Sequence, residues 1–216
     1  MPASVTAAVA TLPSLADQAD RLVALGVHEL AGLTAQAVRA AARSAGAGLL
    51  VVHPDVVDVR DLVPLLRHGD RPGFVVEDMT DVADFTPVEA AVPPAAPLYV
   101  LRDPDRGDDL LNRTPDEAMP VVLGRGRTPL LLTEGVQWVL QVPEVLERNR
   151  CFMTIGSRKR TASGRLDART PAVWVSNGTG RDGRGRRDAP KVGWCWAGNR
   201  HTWLGFASAS GRTPIA

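Results

Sequence analysis

A chain of 216 residues can bury one good hydrophobic core with a smaller appended module, and an apolar fraction of 44% argues against disorder throughout. No apolar run approaches the roughly 20 residues of a membrane helix. The opening stretch MPASVTAAVATLPSLADQ has no basic region and no long apolar core, so it does not read as a signal peptide and a cytoplasmic location is expected. The net charge of +1 conceals an asymmetry: residues 1–150 carry 13 basic and 21 acidic side chains, whereas residues 151–216 carry 12 and 3. Opposite halves can attract each other within the fold, or the basic half can face a polyanion.

The first 46 residues read as a helical segment. Ser14 with Asp17 three positions on resembles a capping box, and Leu15, Leu22 and Leu25 follow at helical spacing up to a stop at Gly26. Thr34 caps a second, alanine-rich helix ending before Gly46 and Gly48. Residues 47–216 read as a single α+β domain. LLVVH is an unbroken apolar run, as in a strand buried on both faces; VRDLVPLLRHG is a short helix, and GFVVED and PLYVLRD are two further strands. FTPVEAAVPPAAP is too rich in proline for regular structure and is expected to cross the surface. Thr114-Pro115-Asp116-Glu117 places threonine at N-cap, proline at N1 and glutamate at N3, which predicts a helix to about Gly124. TEGVQWVLQ predicts another, stopped by Pro143.

Beyond Arg150 the strings CFMTIGS, AVWVS, KVGWCWAG and TWLGFASA read as strands separated by glycine- and asparagine-containing turns, as in an antiparallel sheet of about four strands. The expected class is α+β: N-terminal helices, a short α/β segment, then a C-terminal antiparallel β-sheet.

Four strings, GFVVEDMTD, RNRCFMTIGSR, AVWVSNGTG and APKVGWCWAGNRHTWLGFAS, together resemble an actinobacterial family of uncharacterised proteins, a domain of unknown function, from about Leu49 to the end. The resemblance implies no catalytic residues. The basic run before APKVGWCW is longer here than the family pattern suggests.

That run, TGRDGRGRRDAPK, lies beside a block rich in tryptophan, and the pair defines the leading candidate site. Arginine binds phosphate through planar paired hydrogen bonds, and the glycines let backbone follow an irregular surface. Arg181, Arg184, Arg186, Arg187 and Lys191 would contact phosphate, while Trp194, Trp196 or Trp203, with His201 nearby, would contact unpaired bases. The expected partner is RNA or a ribonucleoprotein, with the acidic half available to a protein partner. The bland alternative is a solvated loop over a tryptophan-rich core. The same loop matches G-x-G-x-x-G at Gly178–Gly183, but Arg184 to Pro190 cannot open the helix that a dinucleotide site requires.

A rival site uses the ends of the first three strands: His53, Asp55, Glu77, Asp78, Asp103 and Asp105. Were those strands parallel, their carboxyl ends would gather at one edge, where carboxylates hold Mg²⁺ or supply an acid/base pair. Turn formation is the simpler role for such segments. Cys151, Cys195 and His201 lack a CxxC pair and a fourth ligand, so buried thiols are expected rather than a metal site. No cofactor motif is present.

Overall fold

The computed structural model describes residues 11–215, so the first ten residues of the expected helical segment lie outside the described part. Helix α1 (Leu15–Ala24) starts where the Ser14 Oγ accepts the Asp17 amide at 3.2 Å, and it buries Leu15, Gln18, Ala19 and Leu22. Gly26, at φ +72°, turns the chain into the single turn α2 (Val27–Leu30). Thr34 then caps α3 (Ala35–Ser44), which packs on α1.

Strand β1 (Leu49–Val52) is buried along its whole length, as its unbroken apolar run predicts. It is also an edge strand, and two glutamines close that edge. Gln18 Oε1 accepts the Leu50 amide and its Nε2 donates to the Gly48 carbonyl; Gln137 does the same for both backbone groups of Val52, at 2.8 Å each. Burying unpaired backbone polar groups is costly, so these amides let an edge strand lie inside the protein.

After α4 (Val59–Leu62) a tight hairpin pairs Arg67–His68 with Arg71–Pro72 and leads to β2 (Phe74–Val75). The proline-rich stretch that follows is mainly irregular, with one bridge from Thr86–Pro87 to Ser157–Arg158. Strand β3 (Leu98–Arg102) is followed by α5 (Pro115–Gly124), whose start is the capping box expected at Thr114 and Glu117. Helix α6 (Leu132–Gln141) has every residue buried, and its Gly135 lets Phe152 and Thr154 approach so closely that a Cβ there would overlap them. Four longer strands follow: β4 (Cys151–Met153), β5 (Arg169–Val175), β6 (Pro190–Trp196) and β7 (Leu204–Phe206); β8 (Gly211–Pro214) ends the chain.

The class is α+β. The strands form a three-stranded sheet, β1-β3-β8, and a five-stranded sheet, β7-β4-β5-β6-β2, beside three two-stranded ribbons. Two pairings in the larger sheet, β7 with β4 and β6 with β2, are parallel, so it is mixed where antiparallel neighbours alone were expected. The expected grouping of the first three strands is corrected too. β1 and β3 are antiparallel, and β2 leaves them for the C-terminal sheet, while β8 returns to the N-terminal one. Each sheet therefore takes a strand from the other end of the sequence.

One buried ion pair locks this exchange. Glu134, fully buried at the start of α6, accepts from Arg212 Nε and Nη2 of β8 at 2.6 and 2.7 Å, from the Tyr99 hydroxyl of β3 at 2.7 Å, and from the Leu131 amide at 2.8 Å. Burial, then the neighbouring Glu134 carboxylate, pushes the Tyr99 phenol above its ordinary range. Arg212 also donates to Thr128 Oγ1 and the Pro129 carbonyl, so the cation is satisfied.

Candidate nucleic-acid interface

The register of β5 with β6 decides which predicted residues can act together. Val175 faces Pro190 at one end of the pair, and Arg169 faces Trp196 at the other. The basic loop leaves β5 just after Val175. Trp196 is therefore six residues along β6 from that loop, about 20 Å at ~3.3 Å per residue. Trp194 and Trp196 pack edge to face at 4.6 Å at this far end, and Trp196 is 49% exposed. They stand at the end of the strand pair away from the loop's attachment, although Arg181 of the loop reaches Asp78 beyond β2.

What surrounds Trp194 is a knot of charge. Arg169 clamps Asp81 through Nη1 and Nη2 at 3.0 and 2.6 Å and also holds Asp167, while Lys159 bridges Asp81 and Asp84 at 2.8 and 2.6 Å. The Arg169 guanidinium lies between the rings of Phe85 and Trp194, at 5.4 and 5.9 Å. Its hydrogen bonds hold the Asp81 carboxyl well below the usual carboxylate range. This is an internal tie from β5 to the VVEDMTD segment.

At the near end the loop folds into two 3₁₀ turns, Gly180–Asp182 and Arg184–Arg186, with no α-helix after the G-x-G-x-x-G match. Lys191 is turned inward: it pairs with Asp182 at 2.8 Å and lies 4.8 Å over the Trp174 ring. Arg181 pairs with Asp78 at 3.0 Å. Arg184, Arg186 and Arg187 are exposed; the first two have no carboxylate partner among the described residues, and the nearest to Arg187 is Asp188 at 3.9 Å. Arg186 rests on Phe74 at 4.6 Å, and Arg71 of the 67–72 hairpin donates to the Gly185 carbonyl at 3.4 Å. Two segments over a hundred residues apart thus bring Arg71, Arg184, Arg186 and Arg187 together. Arg71 was not foreseen; a lone arginine in an HGDRPG turn carries no signal of its neighbours.

Trp203 and His201 lie at this same end. The Trp203 carbonyl accepts the Cys151 amide, and its ring meets Trp174 at 6.2 Å and His201 at 5.4 Å. The His201 side chain makes no hydrogen bond among the described residues. Its Nε2 is buried without a partner, and burial lowers the imidazole pKa. Cys151 faces the inside of β4 and Cys195 lies on β6, two strands away and four residues along, roughly 15 Å by strand geometry. Both thiols are free, and burial raises each to about 11. Among the described residues no three His, Cys, Asp or Glu side chains converge on a common point.

The residues of the rival site are dispersed. His53 follows the end of β1 that faces Leu98, whereas Asp103 follows the opposite end of β3, so antiparallel pairing keeps them about 20 Å apart. Asp55 is 3.6 Å from His53 Nδ1. Asp103 pairs with Arg127, and Asp105 accepts the Gly107 amide; both line an open groove of about 970 Å³ beside Leu12 and Arg102. Glu77 and Asp78 belong to the other sheet's edge, after β2. No helix among the described residues is long and apolar enough to cross a membrane.

Fold and site together define an α+β protein with a cationic surface at one end of its larger sheet. The chain belongs to a family of unknown function (DUF5701), whose pattern matches residues 21–215 and so reaches further toward the N-terminus than the resembling strings. No curated protein matches the chain. No solved structure matches it either.

Proposed function

We propose that the protein is a binding protein for single-stranded RNA, alone or within a ribonucleoprotein, and that the surface formed by the basic loop and the 67–72 hairpin makes the contact. The observation that carries this reading is the meeting of Arg71 with Arg184 and Arg186, which have no carboxylate partner among the described residues, beside Arg187, whose contact with Asp188 is a long 3.9 Å. Guanidinium groups left free in this way suit phosphate oxygens spaced along a backbone. Lys191 supports the loop from within through Asp182, while Arg181 pairs with Asp78 and stays exposed. The two free thiols fit a reducing compartment such as the cytoplasm. Polarisation of a labelled single-stranded RNA should report binding that weakens steeply as salt rises, through counter-ion release. Equal polarisation with and without protein at 50 mM salt would end the proposal.

A further inference from the structure

Beside the arginine surface lies a pocket of about 120 Å³ lined by Asn149, Cys151, Trp174, Val175, Asn177 and Trp203. At ~30 Å³ per water molecule it has room for about four waters. Its composition is unusual for a surface depression: two half-buried indoles, two exposed carboxamides, and an apolar floor of Cys151 and Val175. Asn177 is the second residue after β5, at the foot of the basic loop. Arg148 donates to its Oδ1 at 2.6 Å and also pairs with Asp188 in the loop. Gly178 lies against the Arg187 side chain so tightly that a Cβ would fall 2.5 Å from the Arg187 Cβ. Pocket and arginines therefore share one rigid edge.

We infer that this pocket takes a single unstacked nucleobase of the strand held by the arginines, the base lying against Trp174 or Trp203 while Asn149 and Asn177 meet its polar edge. The inference rests on the RNA reading above and adds the place where a base is recognised. An indole supplies a π-face to any base, and an asparagine amide offers a donor and an acceptor side by side, the pattern that base edges complement. Asn149 makes no side-chain hydrogen bond among the described residues and is held at φ +63° in the turn before β4. The indoles are fixed from behind: Lys191 covers Trp174, Trp174 lies over Gly193, and His201 packs on Trp203. Rings held in place in this way lose little freedom when a base arrives.

The test compares a short oligouridylate with an abasic sugar–phosphate strand of equal length, at one salt concentration, against the full chain and two variants. Stacking one base on an aromatic side chain is worth roughly five- to a hundred-fold in affinity. The unaltered protein should bind the base-bearing strand at least that much more tightly. Replacing both pocket indoles, Trp174→Leu with Trp203→Leu, should bring the ratio close to one. The variant Asn149→Gly removes an exposed carboxamide that holds no side-chain hydrogen bond among the described residues and keeps the left-handed turn; it should lower the ratio several-fold while leaving the salt dependence unchanged. Equal affinity for the two strands overturns the pocket and leaves the arginine surface standing. Discrimination that survives in both variants also overturns it, since the base is then read elsewhere. No binding of either strand at 50 mM salt removes both proposals.

Discussion

Removing Arg184 and Arg186 together tests the charge argument in numbers. Both are exposed, and neither holds a carboxylate among the described residues, so Arg184→Ala, Arg186→Ala should fold normally, losing the contact of Arg186 with Phe74. If Arg71, Arg184, Arg186 and Arg187 each neutralise one phosphate of a single strand, log K should fall with log salt at a slope of about −2.8. Between 50 and 200 mM salt that is a loss of about 50-fold. With two contacts gone the slope becomes about −1.4 and the loss about 7-fold. The matched control is Arg160→Ala, Arg165→Ala, which removes two exposed arginines from a loop elsewhere and should leave the slope as it was. Titrations by polarisation at four salt concentrations give all three slopes. The reasoning fails if the Arg184/Arg186 variant keeps the parent slope, or if the control variant loses as much.

Glu134→Gln should strip the buried Arg212 of its counter-ion and offer an amide donor where four donors already converge. A loss of about 3–5 kcal/mol is expected, read in urea unfolding; a loss below ~1 kcal/mol would mean that the pair does not anchor β8. Asp81→Asn should cost about 1–3 kcal/mol at neutral pH, the range for charge-assisted hydrogen bonds. Because Arg169 depresses the Asp81 pKa, its contribution is complete above the unfolded value near 3.8 and declines as pH falls through the folded one. The stability gap between parent and variant should thus be flat from pH 7 to 5 and narrow below 4; a gap that widens in acid would contradict the assigned cause. Gly193→Ala places a Cβ 2.5 Å from Trp174 Cη2, so it should cost about 1–3 kcal/mol. It should also shift tryptophan emission, and unchanged emission would show that Trp174 does not rest on Gly193.

Much of the helical structure was legible because its signals are local. Ser14, Thr34 and the Thr114–Glu117 box each act within one turn, and the helices begin where those residues place them. Strand partnership was less legible. LLVV and LYVLR announce burial, yet nothing in their residues says that they run antiparallel, or that Phe74 and Val75 join β6. Those choices depend on contacts across a hundred residues. Gln18 and Gln137 read as polar positions on helices, and their service to the edge of β1 emerges only once that edge is buried. The candidate site shows the same limit. The arginine run was plain in the sequence, but Trp194 and Trp196 were joined to it by proximity in sequence, and the register of β5 with β6 sets them along the strand, away from where the loop attaches. Trp174, Asn149 and Asn177 were passed over although AVWVSN contains two of them, because alternation along a strand does not reveal which ring borders a pocket.

The charge asymmetry is the point at which fold and function separate. Of the 12 cations after residue 150, Lys159, Arg169, Arg181, Arg200 and Arg212 pair with acids from the first 150 residues, so part of the opposite charge is spent in joining the two halves. Lys191 and Arg187 find Asp182 and Asp188 within the loop. Arg158 is buried beneath β5, where desolvation lowers its pKa, and its Nη2 donates to the Asp167 carbonyl. Arg160, Arg165, Arg184 and Arg186 remain without a carboxylate among the described residues. Arg160 and Arg165 are tied to their own loop, through the Gly164 carbonyl and Ser163 Oγ. Arg184 and Arg186 instead stand beside Arg71, where like charges within a few residues of one another raise the local potential at a cost to the folded state. A cluster that self-complementarity would have dispersed is the part of this surface best explained by an anion from outside.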